Sequence, residues 1–109
     1  MSDDKRYNGW SNYETWNVKL WMDNDEGSYH YWQEETESIL TREQDKDAAT
    51  GRLADVLKTE HQDNAPELQG TYADLLGAAL SEVDWYEIAE SLVSDALEAN
   101  PDLIEQEAE

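Results

Sequence analysis

The sequence predicts an all-α fold, a compact single-domain bundle of four to five helices. Three observations predict it. Apolar residues recur every three or four positions through most of the chain. Residues suited to helix caps, with Gly or Pro, punctuate those stretches at helix-length intervals. No segment alternates with period two for long enough to argue a strand. At 109 residues the chain suits one domain, 1–109, with residues 1–9 and 102–109 expected as flexible ends.

Each element has a local reason. Ser11-Asn12-Tyr13-Glu14 reads as a capping box, with Ser11 accepting from the third helical amide and Glu14 reaching back. Tyr13, Trp16, Leu20 and Trp21 then form one apolar stripe, and the first helix runs to about Met22. Asp23–Gly27 is a polar break, and Gly27-Ser28 suits one helix end and the next cap. A second helix from Ser28 puts Tyr29, Trp32, Thr36, Ile39 and Leu40 on one side. Asp45–Asp47 reads as a turn. Ala48, Ala49, Leu53, Val56 and Leu57 mark a third, weaker amphipathic helix that contains Gly51. His61–Gly70, with Pro66, reads mainly as a loop. Thr71-Tyr72-Ala73-Asp74 is a looser box that opens a fourth helix along Tyr72, Leu75, Leu76, Ala79 and Leu80. Ser81–Asp84 caps a fifth, along Trp85, Ile88, Ala89, Leu92, Val93, Ala96 and Leu97, which Asn100-Pro101 ends.

Composition excludes several function classes. The chain holds 27 Asp+Glu against 7 Lys+Arg, a formal net charge of −20. Such a chain repels DNA, RNA and anionic lipid, so direct nucleic-acid binding and membrane association are disfavoured. No Cys means no disulfide framework and no thiol nucleophile. The apolar runs are too short for a membrane span, and Met1-Ser2-Asp3-Asp4 does not read as a signal peptide, so a soluble cytoplasmic protein is expected. His30 and His61 fall in different segments and join no HExxH pair or triad order. No catalytic residue and no enzyme activity is therefore expected. Asp23–Gly27 imitates a calcium loop, but with Gly27 at position 6 the first and twelfth positions are Met22 and Gln33, and the register fails. No metal site and no cofactor is expected.

Charge and aromatics are both skewed. Residues 1–58 hold 13 acids and all 7 bases; residues 59–109 hold 14 acids and no Lys or Arg. Eight of the eleven aromatics lie between Tyr7 and Trp32. Trp16, Leu20 and Trp32 are expected in the core, because aromatics at helical spacing usually face inward. Tyr7 and Trp10 precede the first cap and are better placed for a staple or an exposed contact. On the last helix Asp84, Glu87, Asp95, Glu98 and Asp102 fall on one narrow stripe at 3.6 residues per turn, and steps of three or four residues rise ~4.5–6 Å, comparable with phosphate spacing. The stripe is also what a solvated helix face or a salt-adapted protein would show.

The run Tyr7-Asn8-Gly9-Trp10-Ser11-Asn12-Tyr13-Glu14-Thr15-Trp16-Asn17, with Val83-Asp84-Trp85-Tyr86-Glu87-Ile88-Ala89-Glu90 in the second half, resembles a family of small uncharacterised acidic proteins of phages, plasmids and prokaryotic genomes. The resemblance implies an association with mobile elements and brings no activity. In size and charge, though not in sequence, the chain is similar to the phage anti-restriction protein that imitates bent DNA. Two expectations follow. One is a non-enzymatic nucleic-acid mimic that binds a basic host defence protein, restriction or CRISPR-type, through Asp84, Glu87, Glu90, Asp95 and Glu98, with Tyr7 and Trp10 as contacts. The other is a halophilic accessory protein acting through an aromatic surface near Tyr7, Trp10 and Tyr31. The exposed Trp cluster is also compatible with a homodimer seam.

Overall fold

The chain enters its first helix through a two-residue turn. In the structure, a computed structural model that describes residues 7–105, Tyr7 N donates to Trp10 O at 2.7 Å and Trp10 N to Tyr7 O at 2.8 Å. Asn8 and Gly9 between them have φ of 50° and 90°. Two positive φ values define the type I′ turn, which is why Asn-Gly stands there. The rest of the expected flexible N-terminus lies outside the described residues.

Five helices follow: α1 (Tyr13–Asn24), α2 (Glu26–Glu43), α3 (Lys46–Asp63), α4 (Thr71–Ser81) and α5 (Trp85–Ala99), with a 3₁₀ turn at Pro101–Leu103. No strand occurs among the described residues. The all-α bundle expected from the sequence is the observed architecture. The boundaries differ in instructive ways. The α1 cap is Asn12, not Ser11: Asn12 Oδ1 accepts from Thr15 N at 2.9 Å and from Thr15 Oγ1 at 2.7 Å. The Ser11 amide, which Glu14 would reach in a capping box, donates instead to Glu87 Oε1 at 2.9 Å. The polar break shrinks to Asp25 alone. Its amide donates to Trp21 O, closing α1, while its Oδ1 accepts from Gly27 N, opening α2. The turn at Asp45–Asp47 is likewise shorter. Gln44, left-handed at φ 57°, ends α2 and Asp45 precedes α3. His61 is not in a loop but in the last turn of α3. The N-cap of α4 is Gly70, at φ 62°, and Thr71 makes no side-chain cap. Asp84 caps α5, its carboxylate accepting from Glu87 N at 3.1 Å.

Ile39, Leu40, Leu53, Leu57, Ile88 and Val93 are the large side chains sealed in the core. Each stabilises the fold by about 1.5–3 kcal/mol relative to exposure. Helices α3 and α5 form the most extensive pair, α2 packs on both, and α1 lies against α2 and α5. Trp32 is buried as expected, whereas Trp16 and Leu20 are only half-buried. The expected stripe of α1 faces the wrong way: Thr15, Lys19 and Met22 are its buried residues, while Tyr13 is 50 % and Trp21 66 % exposed. Polar pairing accompanies this burial: Thr15 bonds to Asn12 and to the Asp84 amide, and Lys19 reaches out to the exposed Asp23. Leu103 and Ile104 pack on the core, and Gln44 holds Leu103 O and Glu105 N at 3.1 and 2.8 Å.

Candidate functional site

The α5 carboxylates divide into two groups. Asp84 and Glu87 fasten the start of α1. Ser11 donates its amide to Glu87 Oε1 and its hydroxyl to Asp84 Oδ2 at 3.4 Å. Asp84 N donates to Thr15 Oγ1 at 2.8 Å, and Asn12 Nδ2 donates to Glu82 O at 2.7 Å. These bonds join residues some 70 positions apart, so the starts of α1 and α5 meet in one polar clasp. Glu90, Asp95 and Glu98 stand exposed further along α5. Glu90 lies about 60° around the helix from Glu87, off the stripe of the other acids.

Asp95 borders a crevice of about 50 Å³ with Glu37 of α2 and Lys19 of α1. Lys19 is only 8 % exposed, and its Nζ lies 2.8 and 2.7 Å from the two oxygens of Asp23. This is the ion pair found among the described residues. A cation so buried needs such a partner, and its stem also covers apolar surface.

Tyr7 and Trp10 separate. Trp10 is half-buried and packs on the core, whereas Tyr7 is 41 % exposed. Tyr7 contacts the Tyr13 ring edge-on at 5.2 Å and the Trp16 ring at 4.8 Å. The Asn8-Gly9 turn thus folds Tyr7 onto the outer face of α1 and completes a three-ring patch. Sequence reasoning missed Tyr13 and Trp16 as surface residues. The available signal was the opposite face, where Thr15 precedes Lys19 by four residues and has the acceptor and donor that a buried link requires.

A second cleft, of about 470 Å³, lies where the start of α2 meets the end of α3. Tyr31 OH donates to Glu60 at 2.7 Å. That hydrogen bond, then burial, then the negative charges of Glu60 and Glu35 push the phenol from 10.0 up to about 12. His61 is stacked on Trp32 at 5.9 Å and 14°, with Trp85 at 5.0 Å on it as well. Its Nδ1 lies 2.8 Å from Leu57 O. A carbonyl only accepts, so Nδ1 carries the proton. His30 is exposed against Tyr29.

Among the described residues no three His, Cys, Asp or Glu converge as a metal site would. No helix among them is long and apolar enough to cross a membrane. Among curated proteins and solved structures there is no significant match to the chain. Residues 3–103, nearly the whole chain, match the model of a family of unknown function, DUF7249, and the protein belongs to that family.

Proposed function

We propose that this protein is a non-catalytic acidic binder that occupies the basic nucleic-acid channel of a host restriction or CRISPR-type enzyme, with carboxylates standing in for phosphates. The observation that supports it is the exposure of Glu90, Asp95 and Glu98 on α5, in a half of the chain that holds 14 acids and no Lys or Arg. A rigid helix presents those charges at low entropic cost, and uncompensated charge steers a basic partner into contact. The chain's resemblance to mobile-element proteins fits this role, as does a cytoplasmic setting. Asp84 and Glu87 contribute by holding α5 and α1 together rather than by facing the partner.

The test follows from that division. Reversing Glu90, Asp95 and Glu98 to Lys together is expected to abolish inhibition of the target nuclease while helix content is kept. Capture of a nucleic-acid-handling protein from host lysate is expected at 0.05 M salt and lost at molar salt, where the Debye length is ~3 Å. Inhibition that survives the triple reversal rules the reading out.

One observation favours a second reading, in which the acidity is salt adaptation and an aromatic surface does the binding. The Tyr7, Tyr13 and Trp16 rings lie together on the outside of α1. Rings clustered on a surface otherwise rich in carboxylates are suited to anchoring a partner.

A further inference from the structure

Helix α4 is the anomaly of the fold. Six of its eleven residues are Leu or Ala, Asp74 is its one charge, and none of its residues is buried. It joins none of the extensive helix pairings. Leu80 packs on the core, but Tyr72 is 70 % and Leu75 61 % exposed. A helix this short is marginal in water unless something covers its apolar face.

We propose that a second copy of this chain covers it: the Tyr72–Leu75 face of α4 docks antiparallel on the same face of its partner about a two-fold axis. Charge selects this occupant. Residues 68–81 carry Asp74 alone in a chain of net charge −20, so a basic partner finds no complement there. Two acidic copies can meet only where both are nearly neutral. Area agrees. Covering Tyr72, Leu75 and the adjoining Leu68 (itself 42 % exposed) from both sides, with the rims of Leu76 and Ala79, removes on the order of 1,000 Å² from water, the lower bound for a specific contact. The dimer is therefore weak and concentration-dependent. It is independent of the proposed inhibitor role and has the opposite salt dependence. Salt screens the repulsion between two anions and tightens this contact, whereas it loosens the grip on a basic target.

Sedimentation equilibrium of the full chain tests this across micromolar to millimolar concentrations, in 0.05 M and 1 M KCl. The mass is expected to rise from 12.5 kDa toward twice that value, and to do so at lower concentration in 1 M KCl. Tyr72→Glu and Leu75→Glu are each expected to hold the mass at the single-chain value with circular dichroism unchanged. A wild-type mass that never rises, or variants that associate as the wild type does, overturns the proposal. Should the variants lose helix content, hydrogen exchange on the wild type decides. Amides of 75–80 that slow as concentration rises support the contact, and amides indifferent to concentration refute it.

Discussion

Thr15 carries more of this fold than its size suggests. Its hydroxyl donates to Asn12 and accepts from the Asp84 amide, so one fully buried side chain braces the cap of α1 and ties it to the start of α5. The spacing of Thr15 and Lys19 hints at a buried polar face, but nothing local names the partner. That partner, the Asp84 amide, lies 69 residues away. Tyr31 is similar, for its neighbour Glu60 is 29 residues distant. The folded phenol keeps its proton to about pH 12, whereas an unperturbed one releases it near 10.0. Its contribution to stability is thus whole below pH 10.0 and is lost as pH climbs through about 12. In an absorbance titration at alkaline pH, Tyr31 is expected to ionise near pH 12 rather than 10.0. Glu60→Gln is expected to bring it back toward 10.0, since a neutral amide neither repels the phenolate nor accepts as strongly. A titration curve indifferent to that substitution removes the assignment.

At the scale of elements, helix existence was legible and helix orientation was not. Spacing of three and four located all five helices because a helix must bury one stripe. On α1 two stripes competed, one aromatic and one polar, and periodicity cannot say which is sealed when the polar one is fully paired. The junctions tightened for a related reason. Asp25 serves two helices at once, and Gln44 accepts a left-handed backbone that glycine would adopt more readily. Gln44 stands there because its side chain makes hydrogen bonds to Thr41 O, Leu103 O and Glu105 N. Gln44→Gly relieves backbone strain worth about 1 kcal/mol but forfeits three hydrogen bonds of about 0.5–1.5 kcal/mol each. The expected result is a net loss of stability, with the largest rise in hydrogen exchange at 103–105. A variant more stable than the wild type would show that the tail contacts contribute little.

For the whole molecule the governing quantity is charge. A net −20 on 109 residues is self-repulsive, so the melting temperature is expected to rise with KCl. For a fold stable in dilute buffer the rise should be steepest below about 0.2 M, where screening changes most, since the Debye length is already ~10 Å at 0.1 M. A chain that folds only in molar KCl would instead speak for salt adaptation and against a charge-steered inhibitor. The candidate site was half legible at this scale. The acid-rich, base-free second half is plain from composition, and Glu90, Asp95 and Glu98 are exposed as a partner surface requires. The clasp made by Asp84 and Glu87 was not visible, because a carboxylate's partner is set by what the fold brings to it.

The amino-acid order alone determined the helical class, the separation of acids from bases along the chain, and the membership of most of the core, all of which follow from local periodicity and counting. Tertiary structure decided which face of α1 turns inward, which acids are engaged within the chain, and that α4 is left without a full covering. Those outcomes depend on hydrogen bonds and packing between residues far apart in the chain, whose free energies no local window of residues contains.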